Sequence, residues 1–278
     1  MATATNDLLT NQKTSPQTST RKIVTHDQWL AARKAFLAKE REFTHMRDEL
    51  SRQRRELPLE RVEKQYVFEG PNGNESLADL FAGRSQLVIY HFMFGPNWKE
   101  GCPSCSYLAD GFDGAIPHLA ARDTTFLVVS RAPFAEIEAF KKRMGWNFKW
   151  VSSFGSDFNY DYQVSQSKEE AGKDKVYYNY EMTEFPAEER PGLSVFLKDG
   201  GQVFHSYSSY ARGLDILLLT YNILDLTPKG RDEDGLGFPM AWVRHHDKYA
   251  EGYVVNPKAG YVQPAKVTSS SCCSEGKL

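Results

Sequence analysis

Gln86-Leu-Val-Ile-Tyr-His-Phe-Met-Phe94, followed by Gly95-Pro-Asn-Trp-Lys-Glu-Gly101 and then Cys102-Pro-Ser-Cys105, is the stretch on which the reading of this chain turns. Its first nine residues are apolar almost throughout, as in a strand covered on both faces within a sheet flanked by helices. Glycine and proline turn the next seven into a loop. The two cysteines then open a helical segment, with Pro103 in the first turn, where a missing N–H loses no hydrogen bond. Residues three apart on a helix are neighbours, so the two Cα atoms fall within the roughly 4.4–6.8 Å that a disulfide needs. A thiol at a helix start faces unpaired backbone N–H groups and the positive end of the helix dipole, and both favour the thiolate. Cys102 is therefore the nucleophile, and Cys105, one turn in, is the resolving thiol. Half a zinc site is the competing reading of the same spacing. A closed site needs about four ligands, whereas Cys272 and Cys273 are adjacent in a polar tail and no histidine sits at ligand spacing near Cys102. The redox reading is preferred on that ground.

Outward from this stretch, strands and helices alternate. Upstream, Tyr66–Phe68 reads as a strand, Gly70–Gly73 as a turn and Ser76–Phe81 as a short helical turn. Downstream, Thr125–Ser130 is a second buried strand, Phe134–Met144 a helix and Phe148–Ser152 a third strand. The segment from Asp157 to Tyr180 shows no clean period and reads as an insertion or long loop. Leu193–Lys198 and Gln202–Tyr207 flank Asp199-Gly-Gly201, whose glycines supply the positive φ of a tight hairpin turn. Ala211–Leu226 reads as one helix stopped by Thr227-Pro228. Near the N-terminus, Thr25-His-Asp-Gln28 is a capping box. Trp29, Ala32, Phe36, Leu37, Phe43, Met46 and Leu50 then recur at helical spacing among dense charge, predicting a helix from about His26 to Arg55. Residues 1–22 read as a disordered tail, 23–58 as the N-terminal helix, 59–228 as the main domain with an insertion around 157–190, and 229–278 as a loop-rich extension and tail.

Composition bounds what this frame can do. With 34 Lys+Arg against 36 Asp+Glu in 278 residues, the formal charge is −2. No broad positive field is present to gather nucleic acid. The apolar runs 87–94 and 216–219 fall far short of the ~20 residues of a membrane-spanning helix. The N-terminal stretch lacks an apolar core of the secretory kind, so the expectation is a cytoplasmic, reducing setting. Four cysteines are then not a structural disulfide framework there.

The order of elements, with Pro71-Asn-Gly-Asn-Glu-Ser-Leu-Ala-Asp-Leu-Phe81 before the buried strand and the cysteines after it, resembles the thioredoxin superfamily in its peroxiredoxin-like branch. More closely, the blocks Thr25–Phe43, Tyr90–Cys105, Phe196–Gly213 and Trp242–Tyr249 resemble the bacterial domain-of-unknown-function family 899, predicted dithiol-disulfide oxidoreductases, over about residues 23–250. The resemblance implies an α/β, thioredoxin-like fold with a central mixed sheet flanked by helices, and a redox site at Cys102 and Cys105. It also implies that Pro191 takes the place of the thioredoxin cis-proline that lies against the disulfide and binds substrate backbone. Two departures stand out. Pro103-Ser104 replaces the Gly-Pro of thioredoxin, which leaves the direction of electron flow open. Lys99 stands where peroxiredoxins carry a Thr or Ser three residues before the peroxidatic cysteine, which weakens a peroxidase reading.

Other residues are weighed against plainer roles. His91 lies on the strand face opposite Tyr90 and Phe92, and reads as a hydrogen-bonded core histidine more readily than as a proton relay for the dithiol. Trp98 and Lys99, just before Cys102, are candidate substrate contacts: an aromatic platform and a cation favouring the thiolate. His245-His246-Asp247, with Arg244, resembles a ligand cluster but reads first as structural, an Arg or His pairing with the acidic run Asp232-Glu-Asp234, because adjacent histidines on a strand face opposite ways. The family resemblance at these residues leaves an active-site role open. Tyr207, Tyr210 and Arg212-Gly213 read as core or rim before site lining, and Cys272 and Cys273 as an incidental pair on the tail before a second thiol pair relaying electrons to Cys102 and Cys105. The leading expectation is a thiol-disulfide oxidoreductase needing no cofactor and no metal. Its partners would be a protein or small-molecule disulfide and a cellular disulfide reductase, with no nucleic acid or membrane, and a homodimer left open by the amphipathic helix. A peroxiredoxin-like peroxidase and a non-catalytic binding module are the alternatives.

Overall fold

Thr25 opens the first element of the computed structural model, which describes residues 21–249 apart from 168, 171, 172 and 186. The tail before residue 21 and the pair Cys272 and Cys273 lie outside the described residues. Helix α1 spans His26–Arg54. The Thr25 N–H donates to Gln28 Oε1 at 3.2 Å, and the Gln28 N–H donates to Thr25 Oγ1 at 3.4 Å, closing the capping box. The chain divides into one unit ending at Glu56, which holds α1, and a second beginning at Leu57.

In the second unit, β1 (Glu60–Arg61), the hairpin β2 (Val67–Gly70) and β3 (Gly73–Ser76), and a 3-10 turn at Asp79–Phe81 lead to the central strand β4 (Gln86–His91). Then follow α2 (Pro103–Ala109), α3 (Ile116–Ala120), β5 (Thr124–Ser130), α4 (Phe134–Met144) and β6 (Trp150–Ser152). After α5 (Phe158–Asp161) and a small two-stranded sheet of β7 (Val176–Tyr178) and β8 (Glu181–Thr183), the hairpin β9 (Gly192–Asp199) and β10 (Gln202–Tyr210) returns to the main sheet. Its order is β1-β10-β9-β4-β5-β6-β2-β3. Strand β4 runs parallel to β5 and antiparallel to β9, and β6 continues the parallel side. A βαβ crossover on one side of the central strand and an antiparallel hairpin on the other make a thioredoxin-like fold. Gly200 and Gly201 turn the hairpin at φ 55° and 78°, conformations open to glycine at little steric cost.

Period-2 alternation along β4 divides the core. Tyr90 and Phe92 point into a layer with Leu108 of α2, Ile137 and Phe140 of α4, Trp150, Leu214 and Tyr221. Leu87 and Ile89 point into a second layer with Phe68, Leu80, Phe81, Leu127, Val129, Phe158 and Phe196. Most of these side chains are fully covered, each contributing about 1.5–3 kcal/mol by burial. Both faces of β4 are therefore dry, which is why its sequence reads as a continuous apolar run rather than an alternating one.

Three expectations need correction. Ala211–Leu226 is not one helix: a 3-10 segment covers Ala211–Leu217, Leu218 departs from helical geometry at φ −82°, ψ 81°, and α6 covers only Leu219–Leu224. Leu218 turns inward at that break while Leu219 and Ile223 remain exposed. The stretch after Asp157 is not simply a loop, since α5, β7 and β8 lie in it and Ser165 bridges to Glu189. Strand β10 runs three residues beyond the expected Tyr207, to Tyr210, and carries a β-bulge between His205 and Tyr207.

Candidate active site

The loop leaving β4 is tied down before it reaches the cysteines. Ser130 Oγ donates to the Phe92 carbonyl at 2.7 Å, the Ala132 N–H to the Phe94 carbonyl at 2.8 Å, and the Cys102 N–H to the Met93 carbonyl at 3.0 Å. Gly101 is needed here for space: a Cβ at this position would lie 2.5 Å from Phe92 and 2.9 Å from Phe140. Cys102 is the N-cap of α2 and Pro103 opens the helix, as the sequence predicts. The Cys102 carbonyl accepts from the Ser106 N–H at 2.9 Å and from Ser106 Oγ at 3.0 Å, which fixes the first turn.

The two thiols differ in environment. Cys102 is partly exposed and Cys105 is buried, 2% exposed in the aromatic layer. The Cys102 thiol is lowered from 9.0 to about 7, first by a hydrogen bond from the Cys105 thiol. Burial opposes that shift, and the N–H groups of Cys105 and Ser104 and the Ser104 hydroxyl add to it. Cys105 is pushed well above its ordinary value, first by burial and then by the neighbouring Cys102. The Tyr90 hydroxyl hydrogen-bonds Cys105 and partly offsets that rise. The two thiols are thus driven apart in proton affinity, the partly exposed one downward and the buried one upward.

Pro191 lies directly before β9, whose Gly192 and Leu193 pair with His91 and Tyr90. It therefore stands at the end of β4 from which the dithiol loop departs. Its carbonyl accepts from Tyr178 Oη at 2.6 Å, and the same hydroxyl accepts from the Ala211 N–H at 3.0 Å. No described peptide bond is cis, so the cis geometry implied by the thioredoxin resemblance is not found at Pro191. Trp98 is half-buried against the aromatic layer, and Lys99 is exposed. Beneath this loop, Glu189 is buried and pairs with Arg131 at 2.7 Å and with Ser165 Oγ at 2.6 Å. Gly95 passes so close that a Cβ there would lie 3.3 Å from Glu189 Oε1.

The histidine cluster packs against the dithiol loop and the helices beside it, and its partners are not the acidic run expected. His245, 1% exposed, hydrogen-bonds the Gly101 carbonyl through Nε2 at 2.8 Å and stands edge-on to Phe140. His246 meets Asp110 at the end of α2 at 2.7 Å, and Asp247 accepts from Arg143 of α4. Arg143 and Lys248 both hold Glu100, two residues before Cys102. Residues 245–248 thus clasp the dithiol loop to α2 and α4. They sit in a turn rather than a strand, which allows neighbouring side chains to reach the same wall. The acidic run turns elsewhere: Glu233 accepts from Tyr221 Oη and Trp242 Nε1, both at 2.6 Å.

His91 faces away from the layer that holds Cys105. It stacks on Phe158 and Tyr162 on the other face of the sheet and bonds Ser194 Oγ at 2.8 Å. Tyr210 is a core residue bonded to the Tyr162 carbonyl, and Arg212 pairs with Asp215. Sequence reasoning missed Tyr90 as a site residue. The alternation that set His91 aside places Tyr90 on the face that α2 covers, and that signal was available.

Fold and site together define a thioredoxin-like protein with a C-x-x-C pair at the start of the helix that follows the central strand. Residues 18–249 match the family described as bacterial protein of unknown function (DUF899), and the chain belongs to that family. No curated protein matches the chain. Among solved structures it is similar to the bacterioferritin comigratory protein of Xanthomonas campestris, with 16% identity over 59% of this chain and 96% of that one, TM-score 0.40. It is also similar to the peroxidoxin BcpB of Mycobacterium tuberculosis, with 15% identity over 59% and 95%, TM-score 0.35. A third is the mitochondrial 2-Cys peroxiredoxin of Plasmodium falciparum, with 16% identity over 65% and 98%, TM-score 0.37. No helix among the described residues is long and apolar enough to cross a membrane.

Proposed function

We propose that the protein is a thiol-disulfide oxidoreductase working through Cys102 and Cys105. The observation that carries this reading is the asymmetry of the pair: a partly exposed thiol of lowered pKa one helical turn from a buried thiol of raised pKa. In the reductive direction the Cys102 thiolate attacks one sulfur of a substrate disulfide, forming a mixed disulfide and releasing the first substrate thiolate. Cys105 loses its proton and attacks Cys102 Sγ. The second substrate thiolate leaves, and the Cys102–Cys105 disulfide remains. Two electrons have passed to the substrate, and an external thiol reductant returns them. The reverse sequence oxidises a substrate dithiol.

In this scheme Tyr90 donates a hydrogen bond to the Cys105 sulfur as it becomes anionic, and the 245–248 clasp holds the loop that aims Cys102. Trp98, Lys99 and Pro191 frame the approach of the substrate. The test is thiol trapping with a disulfide-linked reporter peptide. Cys105→Ser should accumulate a mixed disulfide at Cys102, and Cys102→Ser should reduce exchange to the uncatalysed rate. Full exchange by Cys102→Ser would overturn the assignment.

A further inference from the structure

Along α1, Trp29, Phe36, Phe43 and Leu50 recur every seven residues, and each is more than half exposed. No residue of this 29-residue helix is buried. A straight helix with 3.6 residues per turn drifts away from a seven-residue repeat, and the stripe stays continuous only where two helices supercoil left-handedly about each other. With those four residues at the first core position of each heptad, the second core positions are Ala32, Lys39, Met46 and Gln53. The flanks then sort by charge. One carries Ala35, Glu42, Glu49 and Glu56, and the other carries Arg33, Glu40, Arg47 and Arg54.

That sorting selects an occupant and a direction. In a parallel, in-register pair, each flanking residue of the first kind faces a residue of the second kind five positions on. Glu42 then meets Arg47 of the second copy and Glu49 meets Arg54, each contact occurring twice by symmetry. In an antiparallel pair, the acidic flank would face the acidic flank and the mostly basic flank would face itself. We propose that α1 pairs with α1 of a second copy of this chain as a parallel two-stranded coiled coil, with Trp29, Phe36, Phe43 and Leu50 stacked along the seam.

Affinity and orientation come from different residues. Glu49 and Glu56 already share Arg52 on their own helix, and Arg33 holds Glu40 at 2.7 Å. Exposed pairs of this kind are individually weak, so the aromatic seam supplies most of the affinity and the Glu–Arg flanks set the direction. Lys39 and Gln53 at core positions lower stability and restrict the alternatives, as polar core residues do in coiled coils.

The test uses the full chain and reads mass and Kd by sedimentation. Wild type should dimerise, giving twice 31.6 kDa. Phe36→Asp with Phe43→Asp should give a monomer whose α/β unit still melts cooperatively at the wild-type temperature, which separates lost pairing from lost folding. Glu42→Lys with Glu49→Lys should raise the dimer Kd by about tenfold or more by turning four attractive pairs repulsive. Adding Arg47→Glu and Arg54→Glu should restore it, because the flanks are complementary again in the opposite sense. A monomeric wild type overturns the proposal, as does a dimer that survives the two Asp substitutions. A Kd indifferent to the charge variants, or not restored by the fourfold exchange, overturns the parallel arrangement.

Discussion

Tyr90 and His91 are neighbours in β4, each 1% exposed, yet they belong to networks of opposite character. Tyr90 points to the α2 face and ends on Cys105, a thiol held next to a second, partly exposed thiol. His91 points to the other face and begins a chain that crosses three strands. Its Nε2 meets Ser194 Oγ at 2.8 Å, Ser194 Oγ meets Ser208 Oγ at 2.8 Å, and Ser208 Oγ meets His205 Nε2 at 2.7 Å. His205 Nδ1 then approaches Glu60 Oε2 at 3.3 Å at the sheet edge. The first network pairs two groups whose proton affinities are driven apart, which is what exchange chemistry requires. The second consists of ordinary donors and acceptors that satisfy one another, leaving only His91 Nδ1 without a partner. Titratable groups buried side by side in one strand thus divide by face, Tyr90 towards the thiol pair and His91 into a hydrogen-bonded chain.

That comparison can be broken or sharpened at three points. The largest effect is expected from acid on the His91 side. Burial lowers His91 from 6.5 to about 3, with His205 adding to the shift. The fold holds the neutral ring, so this contribution to stability is complete above pH 6.5 and is lost as pH falls towards 3. The slope is up to about 1.4 kcal/mol per pH unit. Urea unfolding at about pH 6.5 and 4.5 should show wild type losing roughly 2–3 kcal/mol more than His91→Asn. An identical slope in the two proteins would remove His91 from the account. Next, Ser194→Ala leaves His91 Nε2 unpartnered and takes one of two partners from Ser208 Oγ, which keeps His205. It should cost about 2 kcal/mol, while the exchange rate of the folded protein stays at the wild-type value. A fall in that rate would show that the two faces are coupled. The smallest effect is assigned to Tyr90→Phe, which keeps the ring and removes the hydroxyl. Stability should change by no more than about 1 kcal/mol, whereas closure of the internal disulfide from a Cys102 mixed disulfide should slow severalfold. Unchanged closure kinetics would reduce Tyr90 to a packing residue.

Local signals carried much of this structure. The Thr25–Gln28 capping box, the α4 limits at Phe134 and Met144, the Gly200-Gly201 hairpin turn and the Cys102 N-cap all follow from residues within a few positions of one another. What sequence could not supply is set by distant contacts or by local irregularity. His205 and Ser208 are three apart and would face opposite sides of a regular strand. The bulge between His205 and Tyr207 adds a residue and brings both to one face, completing the chain to His91. Likewise, nothing near His245 in the chain indicates that its partner is the carbonyl of Gly101, 144 residues away. The break at Leu218 is invisible to periodicity because leucines occupy both sides of it.

The most direct test is a redox-buffer titration of the wild-type protein, with the alkylation state of Cys102 and Cys105 read at peptide resolution by mass spectrometry. The account predicts one reversible two-electron couple in which both thiols protect together, with a potential within about −120 to −270 mV, the span from strong oxidant to thioredoxin. A pair that stays fully alkylatable across the titration, or is protected only when zinc is added, would contradict it.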